Sequence, residues 1–213
     1  MNLLQISLTN RCNMSCDYCP IKPWRNNPAH SNLLTNERLF LLLQRLDPQE
    51  WAIELTGGEP ALYPELDELL SWLQAKGFQG LIKTNGTLFF RKVPSFKIVA
   101  AFHNLENPPK CYDEILIIDH TPDFNAKKEW CVANDIEYRV IERDTYSKPT
   151  PGASGGKIMF VNPAGSKSEC NAGQQRVPLE DVEMPSRSAC PGCKTFRDFN
   201  VFFNEGEQNE PKR

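Results

Sequence analysis

The stretch LLQISLTNRCNMSCDYCP, residues 3–20, runs from an apolar segment into Cys12, Cys16 and Cys19, three thiols within eight positions. LLQISL (3–8) reads as a β-strand that ends just before the cysteines. Thiols this close share a metal, form part of a disulfide framework, or stand free. The spacing Cys12-x3-Cys16-x2-Cys19 lets one loop curl round a cube of iron and sulfide. Zinc prefers a fourth ligand, and His30 lies well beyond the cysteines in a polar loop. Three thiolates on a four-iron cube leave one iron open, where a substrate or cofactor can coordinate.

Composition sets the frame. The chain has 213 residues, 40% hydrophobic and 24% charged, as expected of one globular domain with room for a small appendage. A net charge of −3 gives no overall attraction to nucleic acid or to a membrane surface. The N-terminal MNLLQISLTN has no basic flank and only a short apolar run, so it reads as a strand rather than a signal peptide. No segment approaches the ~18 consecutive apolar residues of a membrane span. A cytoplasmic protein is therefore expected, with its eight cysteines reduced and serving as metal ligands or small buried groups.

Strand and helix signals then alternate. Thr35 is placed to cap a helix with Glu37 in its first turn, RLFLLLQRL (38–46) follows, and Asp47-Pro48 ends it. AIEL (52–55) is a second strand. In the next helix Pro64 suits the first position, Leu66, Leu69, Leu70 and Leu73 share a face, and Gly77 ends it. GLIKT (80–84), KIVAAF (97–102), EILIID (114–119) and IEYRVIE (136–142) make four further strands. Thr121-Pro122 opens a helix in which Ala126, Trp130 and Ala133 share a face. The crossover at 103–113, with its NPPK, is too broken for a helix. Six mostly apolar strands separated by crossovers imply an α/β fold with a parallel sheet, in which ligands bind at the carboxyl ends of the strands.

Two short motifs lie at such ends. TGGEP (56–60) follows strand two, where two glycines let the backbone approach a ligand closely. KTNGT (83–87) closes strand three, with Thr84 and Asn85 as hydrogen-bonding groups and Gly86 able to make a left-handed turn. Taken singly, each also suits an ordinary tight turn.

Together with the cysteines, and in this order, they give the chain its resemblance. Cys12-x3-Cys16-x-Tyr18-Cys19 after a first strand, then GGEP, then TNGT, resembles the radical S-adenosylmethionine (radical SAM) superfamily over about residues 3–142. The resemblance implies a partial (β/α)6, TIM-like barrel and an oxygen-sensitive 4Fe–4S cluster held by Cys12, Cys16 and Cys19. It implies S-adenosyl-L-methionine (SAM) on the open iron, with Tyr18 near the adenine. Gly57, Gly58, Glu59 and Pro60 would hold the methionine amino group, with the Glu59 carboxylate facing the ammonium. Thr84, Asn85 and Gly86 would line the cofactor cleft. It also implies an electron donor such as flavodoxin or ferredoxin.

The implied reaction is one-electron cleavage of SAM to a 5′-deoxyadenosyl radical, which abstracts hydrogen from a small-molecule, nucleobase-type or peptide substrate. An activase of a glycyl radical enzyme is an alternative within the superfamily. A non-enzymatic iron–sulfur electron carrier or redox sensor is an alternative of another class. Asp119, His120, Glu142 and Arg143 at or after strand ends are candidates for cofactor or substrate contact, and His103 for substrate contact.

Residues 1–145 form the expected core. YSKPTPGASGGK (146–157) is a Pro-, Gly- and Ser-rich linker. Its GASGGKI departs from a phosphate-binding loop, being one residue short between glycines and having Ile158 where Ser or Thr should hold magnesium. Residues 158–203 form a C-terminal extension and 204–213 a disordered tail. The extension carries Cys170, Cys190 and Cys193, which can hold a second iron–sulfur cluster, hold zinc, or bind no metal. Cys111 is a candidate fourth ligand there, whereas Cys131, on a helix, reads as a small buried hydrophobe.

Overall fold

The computed structural model describes residues 2–17, 19, 22, 25–28, 34–119, 121, 123–141, 158–161, 166–168 and 177–178. Tyr18, His30, His120, Glu142, Arg143, Cys170, Cys190 and Cys193 lie outside the described residues, as do the whole of 146–157 and of 204–213.

Six parallel strands follow one another in space as in sequence: β1 (Asn2–Ser7), β2 (Trp51–Thr56), β3 (Gly80–Thr84), β4 (Phe96–Ala101), β5 (Glu114–Ile118) and β6 (Tyr138–Ile141). Helix α1 (Asn36–Leu43) joins β1 to β2, α2 (Leu66–Ala75) joins β2 to β3, and α3 (Phe124–Ala133) joins β5 to β6. Residues 102–113, between β4 and β5, contain no helix, as the NPPK sequence implied. The α/β fold with a partial (β/α)6 barrel is thus the observed architecture. Short strands β7 (Ile158–Val161), β8 (Ser166–Ser168) and β9 (Val177–Pro178) extend the same sheet past β1. β7 pairs parallel to β1, while β8 and β9 run antiparallel in turn, giving the order β6-β5-β4-β3-β2-β1-β7-β8-β9.

Helix ends follow local chemistry. Thr35 caps α1 through a hydrogen bond from the Arg38 N–H to its side chain. α2 begins at Leu66 with Glu65 before it, so Pro64 stands outside the helix rather than at its first position. Gly77, with φ +82°, follows the end of α2 in the left-handed conformation glycine adopts freely. Leu66, Leu69, Leu70 and Leu73 are all buried, each worth ~1.5–3 kcal/mol against the sheet.

α3 departs from the sequence reading. It starts at Phe124 after Asp123, and the Thr121 hydroxyl bonds to Ile118 O instead of capping the helix. Ala126 and Ala133 are exposed, and the buried positions are Lys127 and Cys131. The apolar pattern was thin, and the aliphatic stem of Lys127 packs as a hydrophobe would. Cys131 is a small buried group as expected, its thiol pushed up to about 11 by burial.

One core fills the space between β1–β4 and the first two helices; a smaller one joins Phe102, Ile115, Ile117 and Cys131, with Trp130 edge-on to Phe102 at 5.0 Å. Leu4, Ile6, Ile53, Leu55 and Ile82 belong to the larger core, so the alternate residues face the other side of the sheet. That face is mixed, with Leu3, Ala52, Leu81, Val99 and Leu116 buried on it beside charged residues. Glu54, fully buried, accepts from Gln5 Nε2 and pairs with Lys83 Nζ at 3.0 Å. Farther along, Glu114 pairs with Lys97 and with Arg139 Nε. A closed TIM barrel packs this space with aliphatic layers; here paired charges stand among the aliphatic residues.

Lys83→Met leaves the Glu54 carboxylate buried without its cation. The variant is expected to lose roughly 3 kcal/mol, read as a lower urea midpoint, and Glu54→Leu combined with Lys83→Met should recover most of the loss.

Candidate functional site

β1 and β2 do not stop pairing where their ladder ends. Leu8 N donates to Thr56 O (2.9 Å), Gly58 N to Thr9 O (2.6 Å) and Glu59 N to Arg11 O (2.8 Å), so the GGEP loop lies along the segment leading to Cys12. A Cβ on Gly57 would stand 2.5 Å from Thr9 O, and one on Gly58 2.2 Å from Arg11 O. Both distances are far inside contact, and Gly57 also has φ +142°. The two glycines therefore serve a close approach of two backbones, a need the sequence reading had assigned to a ligand.

Glu59 is also differently employed from the expectation. Its side chain is 0% exposed and turns inward. Oε1 accepts from Thr84 Oγ1 (2.6 Å) and Ala61 N (3.1 Å), and Oε2 accepts from Asn85 N (2.8 Å). Burial raises the carboxyl above the usual range, and these three bonds pull it back. The carboxylate is thus a strut between the β2 and β3 loops. Pro60 begins a 3-10 turn, Pro60–Leu62, that leads away from it.

The β3 loop closes the ring. Asn85 Oδ1 accepts from Thr87 N (2.9 Å) and Thr87 Oγ1 (2.6 Å). Its Nδ2 donates to Asn13 Oδ1 (2.9 Å), and Asn13 Nδ2 donates to Thr87 Oγ1 (2.9 Å). Gly86 makes the left-handed turn at φ +70°, where a Cβ would meet Ala100 and Pro109 at 2.8 Å. Thr84, Asn85 and Thr87 are all buried. Cysteine loop, GGEP and TNGT are thereby tied to one another through backbone, carboxylate and amide.

Cys12, Cys16 and Cys19 are partly buried on one loop. Cys19 N donates to Cys16 O (3.3 Å) and Lys22 N to Cys19 O (3.1 Å), which curls the chain back on itself. Burial pushes the Cys12 and Cys16 thiols up, and each feels a like charge on neighbouring thiols. A cationic centre relieves both effects, so the donor set suits a metal cofactor. Among the described residues no group of three His, Cys, Asp or Glu side chains could hold a single metal ion. A cubane asks for something else, since each thiolate binds a separate iron corner.

Beside Cys16 lies a cavity of about 470 Å3 lined by Met14, Cys16, Asp17, His103, Thr121 and Asp123, among others. It spans from the cysteine loop to the carboxyl ends of β4 and β5. His103 is on its wall, and burial together with the Lys127 charge lowers its imidazole to about 4. Lys127, 0% exposed, sits behind the wall on Asp123 Oδ1 (2.6 Å) and Thr121 Oγ1 (3.1 Å). Asp119 N continues the pairing of β5 with β6 by donating to Ile141 O (3.1 Å). Cys111 is buried in the larger apolar core, which tells against the ligand role suggested for it. A second cavity, about 430 Å3, lies at the opposite end of β4 around Lys92 and Lys97, away from this chemistry.

The model of the radical SAM superfamily matches residues 6–122, more than half of the chain. The chain belongs to the radical SAM superfamily. It is an enzyme of the class that uses a 4Fe–4S cluster and SAM, so a purely electron-carrying or sensing protein is set aside. Among curated relatives, the GTP 3′,8-cyclase of Sulfurimonas denitrificans is 43% identical over 75 residues, 34% of this chain and 23% of that protein. Human molybdenum cofactor biosynthesis protein 1 is 37% identical over 98 residues, 44% of this chain and 15% of that one. The chain thus spans less than a third of the length of these relatives.

Among solved structures, Streptococcus suis SuiB bound to precursor peptide SuiA matches with TM-score 0.62 at 14% identity, over 84% of this chain and 62% of that one. The structure of anSMEcpe with bound AdoMet matches with TM-score 0.60 at 15% identity, over 93% and 82%. These likenesses carry the fold.

Sequence reasoning missed Asn13, Thr87, Asn26 and Lys127. Asparagine and threonine in polar loops carry no periodic signal, and a buried lysine reads as a solvated charge.

Two predictions follow from the packing and the charges. Gly58→Ala should cost about 3 kcal/mol, more than Gly77→Ala, where nothing lies within 4 Å and only the φ of +82° opposes a side chain, about 1–2 kcal/mol. Urea unfolding of both variants checks the ranking. For His103, the unfolded chain takes up a proton near pH 6.5 that the folded chain refuses down to about 4. Stability should fall as pH drops through that window, and His103→Gln should flatten the fall when unfolding is compared at pH 7 and pH 5.

Proposed function

We propose that Cys12, Cys16 and Cys19 hold the four-iron cluster and that SAM lies over the GGEP and TNGT loops, reaching toward the cavity beside Cys16. The observation that carries this reading is the hydrogen-bonded ring joining Cys12–Asn13, Gly58–Glu59 and Thr84–Thr87 at the carboxyl ends of β1, β2 and β3. A cluster held by Cys12, Cys16 and Cys19 would supply the one electron for reductive cleavage of the SAM C5′–S bond, the route to methionine and a hydrogen-abstracting 5′-deoxyadenosyl radical.

The chain's own residues do the holding. Gly57 and Gly58 keep the two loops in contact, and Glu59 fixes Thr84 and Asn85 from beneath. The Glu59 oxygens already receive three donors, which leaves one acceptor site on the carboxylate for the methionine ammonium. Tyr18 near the adenine is carried over from the superfamily pattern.

The substrate we propose is polar, and it enters between the cysteine loop and the ends of β4 and β5. His103, on the cavity wall, is the proposed neutral contact to it, and Asp123 presents a carboxylate oriented by Lys127. A nucleotide-like substrate is favoured by the naming of the aligned relatives as GTP 3′,8-cyclases. Radical SAM enzymes need an electron donor, and a flavodoxin or ferredoxin is the donor proposed here. The extension with Cys170, Cys190 and Cys193 is proposed to carry a second cluster or zinc.

Anaerobic reconstitution with iron and sulfide tests all of this. The expected result is a reduced electron paramagnetic resonance (EPR) signal that changes when SAM is added, and release of 5′-deoxyadenosine. Cys16→Ala should abolish both, whereas Cys193→Ala should leave SAM cleavage at least partly intact. About eight irons per chain would support a second cluster, and about four would return the C-terminal cysteines to zinc or structure. A chain that binds no iron would overturn the proposal.

A further inference from the structure

Residues 25–28 double back on the cysteine loop. Asn26 N donates to Asn10 O (3.0 Å), and Asn10 Nδ2 donates to Asn27 O (2.9 Å), so the two stretches are tied by backbone and side chain. Asn26 holds φ +57°, a left-handed conformation that asparagine tolerates better than most residues. Its side-chain amide then grips one cysteine at two points. Cys12 N donates to Asn26 Oδ1 (2.9 Å), and Asn26 Nδ2 donates to Cys12 O (3.1 Å). The peptides on both sides of the Cys12 Cα are fixed by this single amide.

The same turn places a charge. Arg25 is half-buried, and its Nη1 stands 3.5 Å from Cys16 O. The other charges facing the loop are few. Lys22 and Asp17 pair with each other at 3.1 Å in solvent, and Glu59 opposes Arg25 at Cys12 from the β2 loop.

We infer that the Arg25–Asn26 turn is a collar for the cluster, in which Asn26 is a positioning residue for Cys12 and Arg25 is a fixed cation that raises the cluster's reduction potential. The inference rests on the reading that these cysteines hold a four-iron centre. Three thiolates on a [4Fe–4S]2+ core carry a net charge of −1, which becomes −2 when one electron enters. A nearby guanidinium stabilises the second state more than the first, and so makes the electron easier to accept. Being half-buried, the charge is screened less than a surface arginine would be.

The test is an EPR-monitored redox titration of the reconstituted full chain without SAM, paired with iron quantitation. Arg25→Gln should keep the wild-type iron content while its midpoint moves negative. At a fixed solution potential the reduced-to-oxidised ratio should fall about tenfold, or ~59 mV for one electron. Arg25→Lys keeps the charge but not the planar fork, and should recover part of the shift. Asn26→Asp keeps the acceptor for Cys12 N–H and adds a negative charge, so it should move the midpoint the same way as Arg25→Gln. Asn26→Ala should lower iron retention with the far-ultraviolet circular dichroism unchanged. Iron-loaded R25Q and N26D proteins with unshifted midpoints would overturn the collar while leaving the cluster reading intact. A wild-type chain that takes up no iron would overturn the cluster reading, and the collar with it.

Discussion

The site depends on two backbones meeting beyond the ends of their strands. Gly58 N–H on Thr9 O and Glu59 N–H on Arg11 O carry the β1–β2 ladder into loops that sequence alone would leave free. Two such bonds contribute about 1 kcal/mol each, which is little for the stability of the chain. Their effect is positional. They fix where Cys12 emerges relative to the β2 loop, and any side chain at Gly57 or Gly58 would push the two apart. The carboxylate of Glu59 then spans to β3, so three loops that differ in sequence are held as one body. A reaction that must bring an electron source and a scissile bond into one alignment depends on that kind of fixed placement.

Charge is handled differently at each depth. Glu59 is buried fully, and it is kept by donors rather than by a cation: two backbone N–H groups and a hydroxyl. Glu54, equally buried, is kept by Lys83 and Gln5. Lys127 is kept by Asp123 and Thr121, with the Phe102 ring 5.9 Å from its ammonium. Each buried charge has partners in place, as burial demands. The cysteine loop stands apart, because the Cys12 and Cys16 thiols are pushed toward the neutral form by burial and by neighbouring thiols. Among the described residues it is the place where a further positive centre would be most stabilising.

Much of this was legible in the sequence. The strands from β1 to β6 were found within a residue or two, because parallel strands buried on the helix side leave nearly continuous aliphatic runs. α2 was found from the spacing of four leucines, and Gly86 from the need for a left-handed turn. Glu59 was read as a ligand-binding carboxylate because its motif named a task; its three donors come from two separate loops and have no trace in local pattern. α3 was misread because its buried face is built from Lys127 and Cys131, residue types that seldom mark a core. Asn13 and Asn26 escaped notice for a related reason, since a side-chain amide that grips a backbone across many residues leaves no periodicity.

The structure also divides the labour between its halves. On the β1–β3 side the loops are cross-bonded, glycine-packed and short of free side chains, which suits a cofactor that does not change from one substrate to the next. On the β4–β6 side the crossover at 102–113 has no helix, and His103, Asn104, Thr121 and Asp123 line the cavity together with residues 14–17 of the cysteine loop. The far end of that crossover is still tied to the β3 loop, since Lys110 N and Cys111 N both donate to Gly86 O (2.7 and 3.0 Å). SuiB and anSMEcpe share this fold at 14% and 15% identity, so the frame survives where most of the residues that fill it differ.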